Sequence, residues 1–182
     1  MRGDVRMERN TYPAMSHKTM LLVHSVEDSL AHGSGQGTGR STTATVPPVL
    51  ELPGEIVDDI IAHATEQYPY EACGLLAGPA GGIAAERFYR CRNTAESARV
   101  YTVDPRGHLR AERDAEDQGW EIVGVVHSHT HTPAFPSPTD VAQAPDPAWH
   151  YVIVSLQHEE PSLRGFRIVD GDVTEEDVVV RR

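Results

Sequence analysis

Two histidines, a serine and an aspartate lie close together within residues 127–140. They form the pattern His-x-His-x7-Ser-x2-Asp at His127, His129, Ser137 and Asp140. Zn²⁺ binds imidazole nitrogens and carboxylate oxygens at about 2.0–2.2 Å, and three protein ligands leave a fourth position for water. His127, His129 and Asp140 are therefore candidate ligands of a catalytic zinc rather than of a structural one.

The local context of this pattern favours a metal site over a chance pair of surface histidines. An apolar run precedes His127, and a strand over residues 121–127 would put both imidazoles on one face, because side chains alternate along a strand. Ser137 followed by proline predicts a helix start with Ser137 as the N-cap. Asp140 then lies in the first helical turn, where the helix dipole favours its ionised form.

The remaining elements are predicted from hydrophobic period and from helix and turn signals. Ile56, Ile60 and Ala64 belong to the apolar face of a helix that Pro69 ends, and Asp104 caps a second helix that runs to about residue 118. Strands are expected at residues 70–78, 86–91, 100–103, 121–127, 151–156, 163–169 and 173–180, the last two as a hairpin. Together, these helices and strands predict an α+β fold with a mixed, largely antiparallel sheet flanked by two main helices.

Composition limits the function classes. The chain has 182 residues, 39% of them hydrophobic, which suits one globular domain, and no apolar run approaches the length of a membrane span. A net charge of −11 argues against nucleic acid or an anionic membrane as partner. Because no signal segment is visible, the expected location is cytoplasmic.

The chain divides by composition into a tail and a domain. Residues 1–46 are rich in glycine, serine and threonine without a hydrophobic period, so they are expected to be disordered. Residues 47–182 are expected to form the folded domain. Its two cysteines, Cys73 and Cys91, are too few for a disulfide framework and are expected to be reduced. Cys73 could be a ligand or nucleophile, although a small buried side chain in a strand is favoured.

The complete pattern, with Glu71 upstream, resembles the JAMM (MPN+) family of metalloproteases. That family's signature is a glutamate followed by His-x-His-x7-Ser-x2-Asp, and this chain has the required residue at every signature position. The resemblance covers about residues 49–180. The resemblance implies the MPN fold, which is cytidine-deaminase-like. It also implies one zinc ion per chain, held by His127, His129, Asp140 and a catalytic water.

The resemblance also implies roles for two further residues. Glu71 would be the general base, and Ser137 would donate a hydrogen bond to the oxyanion of the tetrahedral intermediate. From its residue type alone, Glu71 would be an ordinary exposed acid at a strand start. A third histidine, His131, is expected to line the cleft or face solvent, while His108, His150 and His158 are expected to be structural or surface residues.

Two segments are similar in sequence to Mec-type peptidases, a bacterial branch of that family. They are the loop around Phe135-Pro136-Ser137 and the C-terminal segment from Phe166 to Glu176. This implies hydrolysis of the amide between the C-terminal glycine of a ubiquitin-like sulfur-carrier protein and cysteine, which releases cysteine for biosynthesis. The partner would be a carrier ending in Gly-Gly. Alternatives are an isopeptidase, similar to a deubiquitinase, that acts on another ubiquitin-like conjugate, and a non-catalytic MPN scaffold. The oligomeric state stays open.

Overall fold

A seven-stranded sheet with three helices forms the part of the chain that the computed structural model describes, residues 49–182. The predicted tail over residues 1–46 lies outside the described residues. The strands are β1 Val49–Pro53, β2 Cys73–Gly78, β3 Arg87–Cys91, β4 Glu121–His129, β5 His150–Ser155, β6 Ser162–Val169 and β7 Asp172–Arg181. The helices are α1 Gly54–Gln67, α2 Pro105–Asp117 and α3 Pro138–Ala142.

The sheet is mixed and mainly antiparallel, in the order β1-β7-β6-β5-β4-β2-β3. Only β1 with β7 and β4 with β5 pair in parallel, so the predicted α+β class is confirmed. The predicted hairpin of β6 and β7 is also confirmed, with Asp170 and Gly171 at φ of 52° and 88° in its tight turn. No helix in residues 49–182 has the length and apolar character needed to cross a membrane.

Helices α1 and α2 pack against opposite faces of the sheet. Ile56 and Ile60 of α1 share a buried cluster with Val126, while Ala111 of α2 shares another with Val125, the adjacent residue of β4. Since neighbouring residues of a strand point to opposite faces, each helix covers one side. His127 and His129 continue the series of Val125, so they lie on the α2 side of β4.

Helix α2 begins after Asp104 and ends before Gly119, as the sequence predicted. The Asp104 side chain accepts a hydrogen bond from the Gly107 amide at 2.8 Å, which caps the helix. Gly119 follows the helix with a φ of 74°, a left-handed conformation that glycine adopts without steric cost. The helix therefore begins and ends at fixed points, and the chain re-enters the sheet at Glu121 as β4.

The predicted strand over residues 100–103 is wrong, because a side chain takes the hydrogen bonds that a neighbouring strand would make. The buried Asn93 amide accepts from the backbone N–H of Ala95 and of Thr102, both at 3.0 Å. It donates to the carbonyl of Val100 at 3.2 Å and to the carbonyl of Glu71 at 2.9 Å. The segment is thus an anchored loop with one isolated bridge, and β1 is a strand that sequence did not predict.

Replacing the Asn93 side chain should destabilise the domain. We expect Asn93→Ala to lower the free energy of unfolding by about 2–4 kcal/mol, because several hydrogen bonds of a buried amide are lost together. The neighbouring Thr94→Ala, which removes one exposed bond to the Thr102 carbonyl, should cost about 0.5 kcal/mol or less. Denaturant unfolding measures both, and equal costs would show that the loop does not depend on Asn93.

Candidate metal centre

Strand β4 presents His127 and His129 side by side near its carboxyl end. Both are buried, with 2% and 5% of their surface exposed, and their Nε2 atoms lie 3.2 Å apart. Nδ1 of His129 is 2.8 Å from the carbonyl oxygen of Pro133, an acceptor that requires the proton to be on Nδ1. The Nε2 lone pair of His129 is therefore free to bind a metal, a tautomer arrangement usual for metal-binding histidines.

The third group of the centre, Asp140, is delivered by the start of α3. Ser137 is the N-cap, as predicted: its Oγ accepts from the Asp140 amide at 3.2 Å, and its own amide donates to Asp140 Oδ2 at 2.7 Å. Burial alone would raise the pKa of the Asp140 carboxyl, but the adjacent His127 and His129 outweigh burial and hold that pKa well below its usual range. Asp140 is an anion at neutral pH.

The three groups have the spacing of zinc ligands. Asp140 Oδ2 lies 3.5 Å from Nε2 of His127 and 3.5 Å from Nε2 of His129. Together with the 3.2 Å between the imidazoles, these are the edges of a small triangle. Ligands about 2.0–2.1 Å from a tetrahedral zinc would be about 3.3–3.4 Å from one another. The donor set therefore fits a divalent metal, and no other such group occurs within residues 49–182.

Glu71 lies directly before β2 and is buried, with 4% of its surface exposed. The alternative of an ordinary exposed acid is therefore wrong. Its amide donates to the Ser97 carbonyl at 2.8 Å, and its carbonyl accepts from Asn93. Next to it, the Ala72 amide donates to Ser128 Oγ at 2.8 Å, which attaches this segment to β4.

The pairing of β2 with β4 sets Glu71 across from His129. Cys73 is paired with His127 in an antiparallel register, and the Ser128 amide donates to the Ala72 carbonyl at 3.0 Å, which extends the register past the end of β2. Glu71, two residues before Cys73 in the chain, therefore lies across from His129. Burial raises the pKa of Glu71 to about 7, although His129 opposes the rise. A carboxyl with that pKa can both accept and donate a proton near neutral pH.

Glu71, His129 and Ser137 open onto one cavity of about 600 Å³. The Ser137 hydroxyl accepts from the Asp140 amide, so its own proton remains available to donate to another group. The cavity is lined by Glu71, Ala98, Arg99, His129, His131, Thr132 and Ser137. The structure thus brings the candidate base, one candidate ligand and the candidate oxyanion donor to the same space.

The other histidines and Cys73 lie apart from the metal-binding atoms. His131 lines the cavity, as expected, with its Nδ1 2.7 Å from the Thr130 hydroxyl. His150 is buried against the Glu176 carboxylate at 2.8 Å. Cys73 is buried in β2, where burial raises its thiol pKa to about 12, which disfavours the thiolate that a nucleophile or metal ligand needs.

Three residues around the centre were not predicted from sequence. Tyr101 stacks on the His127 ring with centroids 4.5 Å apart and an angle of 20° between the planes. His127 Nδ1 is buried and has no hydrogen-bond partner in the described part of the chain. Asn93 and Arg99 belong to the same loop as Tyr101, and they reach the site through contacts that no local spacing in the sequence indicates.

Comparison with known proteins finds matches over most of the domain. The sequence model for prokaryotic homologs of the JAB domain matches residues 53–169. The CysO-cysteine peptidase of Mycobacterium tuberculosis is 44% identical over 133 residues, which are 72% of this chain and 91% of that protein. The "Probable TtuB-protein conjugate cleaving protease" of Thermus thermophilus is 33% identical over 126 residues, 68% of this chain and 78% of that protein.

A solved structure is similar over nearly the same region. The solution structure of protein DSY2949 from Desulfitobacterium hafniense has a TM-score of 0.67 and 36% sequence identity. The match covers 73% of this chain and 93% of that one. The fold described above is therefore shared with an experimentally determined structure over most of its length.

Removal of one imidazole should release the metal. We expect His129→Ala to lower bound zinc from about one ion per chain to near zero, because two protein ligands seldom retain zinc. His131→Ala, two residues further along, removes an imidazole outside the triangle of metal-binding atoms and should keep its zinc. Elemental analysis after dialysis measures the zinc content, and a full complement in His129→Ala would contradict the assignment.

Proposed function

The chain belongs to the family of prokaryotic homologs of the JAB domain, and we propose that this metallopeptidase releases cysteine from the C-terminal glycine of a ubiquitin-like sulfur-carrier protein. One observation carries the proposal: two imidazole nitrogens and a carboxylate oxygen converge within 3.5 Å of one another, while Glu71 opens onto the cavity beside them. The substrate class is supported by the match to 91% of the CysO-cysteine peptidase.

We propose zinc as the cofactor, one ion per chain, with His127, His129 and Asp140 as its protein ligands. When bound, zinc supplies Lewis-acid chemistry, polarising the scissile carbonyl and lowering the pKa of water toward ~7. The buried donor set and the ionised Asp140 support this role.

Glu71 moves the proton in the proposed reaction. Its carboxylate takes a proton from the attacking water, whose oxygen bonds to the carbonyl carbon of the terminal glycine. Glu71 then gives the proton to the leaving nitrogen, and the C–N bond breaks. The carrier regains its C-terminal carboxylate and cysteine leaves with a free amino group. The raised pKa of Glu71, about 7, suits both halves of this transfer.

Ser137 stabilises the negative charge that develops on the carbonyl oxygen. Its hydroxyl proton is free, and the capping box that fixes Asp140 also fixes the serine. Loss of one oxyanion donor costs on the order of 10²–10³ in rate. The same helix start holds both Asp140, the proposed ligand, and Ser137, the proposed oxyanion donor.

The cytoplasm is the compartment that we propose for this reaction. Cys73 and Cys91 are direct register partners in β2 and β3, and both are free thiols. Two cysteines make no disulfide framework, which is typical of proteins in a reducing environment. The proposed partner is the carrier protein, and the chain's net charge of −11 supports no role for nucleic acid.

Cleavage of another ubiquitin-like protein conjugate is the second candidate function. It is favoured by the similarity to the Thermus thermophilus relative, a conjugate-cleaving protease that is 33% identical. The chemistry would be unchanged, since an isopeptide is also an amide. A non-catalytic scaffold is disfavoured, because all five signature positions are intact.

The function is tested by mass spectrometry of a sulfur-carrier protein extended by one C-terminal cysteine. The zinc-loaded enzyme should remove that one residue, and Glu71→Gln should keep zinc and fold while turnover falls by about 10²–10⁴. Glu116→Gln, the same change on the exposed side of α2, is the matched control and should remain active.

Two results would change these assignments. Full turnover by Glu71→Gln would remove Glu71 as the base. An intact carrier–cysteine substrate, together with cleavage of a carrier joined to a lysine side chain, would favour the second candidate function.

We propose that residues 47–182 are the catalytic domain, since every candidate site residue lies within them. Deletion of residues 1–46 should therefore leave kcat/KM within about twofold and the midpoint of thermal unfolding nearly unchanged. Steady-state kinetics and a melting curve measure this. A loss of activity or of stability in the shortened chain would show that the domain needs its N-terminal segment.

A further inference from the structure

We propose that Arg99 binds the free α-carboxylate of the released amino acid and so selects a C-terminal residue over a side-chain-linked conjugate. The inference rests on the proposed function, which makes the leaving group an amino acid with its own carboxylate. Arg99 has no part in the signature pattern or in the hydrolysis described above.

The Arg99 side chain lines the active cavity and has no partner of its own. Its guanidinium makes no hydrogen bond or ion pair with any group in residues 49–182, and it is exposed. It is also the one lysine or arginine among the described residues that line this cavity. By contrast, several other arginines of the domain are paired with carboxylates, namely Arg87, Arg90, Arg92, Arg164, Arg167 and Arg181.

The loop that carries Arg99 is fixed to the catalytic elements. The Ser97 carbonyl accepts from the Glu71 amide at 2.8 Å, and the Ala98 carbonyl accepts from the Thr130 hydroxyl at 3.3 Å. The Arg99 amide itself donates to Ser97 Oγ at 3.2 Å. These bonds tie the backbone around Arg99 to Glu71 on one side and to the end of β4 on the other, so Arg99 is held beside the cavity that Glu71 also lines.

In the proposed reaction the leaving group lies beside Glu71, in the same cavity that Arg99 lines. Glu71 protonates the leaving nitrogen, and in an amino acid only one carbon separates that nitrogen from the α-carboxylate. The carboxylate would therefore lie near the Glu71 carboxylate, whose negative charge repels it, and Arg99 is the cation among the described residues that line this cavity. Arginine is suited to this because its planar guanidinium can donate two parallel hydrogen bonds to one carboxylate. A lysine-linked conjugate has no carboxylate at this position.

The test compares two substrates that differ only at the terminal group. One is a carrier protein ending in Gly-Cys with a free carboxylate, and the other is the same carrier ending in cysteine carboxamide. For the wild-type enzyme we expect kcat/KM to be about 10–100-fold lower with the carboxamide, the usual range for a lost hydrogen bond to a charged group.

Arg99→Gln should lower kcat/KM about 10–100-fold with the carboxylate substrate and change it less than about twofold with the carboxamide. The matched control is Arg113→Gln, an exposed arginine of α2 that also makes no ion pair with residues 49–182 and lies outside the cavity. This control should behave as wild type with both substrates. A merely structural role of Arg99 would instead lower both activities together.

Each contrary outcome has a distinct meaning. An equal loss of activity by Arg99→Gln on both substrates would overturn the inference and point to the carrier itself as the partner of Arg99. Equal cleavage of both substrates by the wild-type enzyme would also overturn it while the proposed function stands. If the wild-type enzyme cleaves neither substrate, the proposed function fails, and the inference fails with it.

Discussion

The antiparallel pairing of β2 with β4 is the constraint on which the site depends. It sets Cys73 opposite His127, and two further hydrogen bonds between Ala72 and Ser128 carry the alignment to Glu71. A shift by one residue would turn the glutamate to the opposite face of the sheet from the histidines. The Ser128 side chain, on the other face of β4 from the two imidazoles, accepts one of these bonds. Strand register thus places Glu71 beside the two histidines, while the start of α3 adds Ser137 and Asp140.

The centre also shows how surroundings give two carboxyl groups different chemistry. Asp140 lies at a helix start beside two imidazoles and is held ionised, which suits a permanent ligand. Glu71 is also buried, and His129 offsets only part of the effect of burial on its pKa. The resulting pKa of about 7 suits a group that must gain and lose a proton. Such a separation of two acids by environment is a general way to divide roles in an active site. Here it follows from the cap of α3 and from the loop that covers Glu71.

Local signals predicted much of this architecture, and long-range contacts account for the rest. The spacing of His127 and His129, the Ser137 cap and the Asp170 turn are each read within a few residues, and the structure agrees with them. The roles of the site residues stay predictions. Strand β1 went unpredicted because its partner β7 lies at the far end of the chain, and residues 100–103 do not form the predicted strand because the Asn93 side chain replaces strand pairing.

In the loop anchored by Asn93, the groups that hold the backbone differ from the side chains that line the cavity. Its shape is held by main-chain groups that bond to one buried amide and to the segment before β2, so the side chains at Ala98 and Arg99 take no part in holding it. Substitutions there can alter what the pocket accepts without disturbing the groups that perform hydrolysis. With Arg99 in its proposed role, selectivity and chemistry lie on separate residues, and substitutions in this loop alone are expected to change which leaving group is preferred.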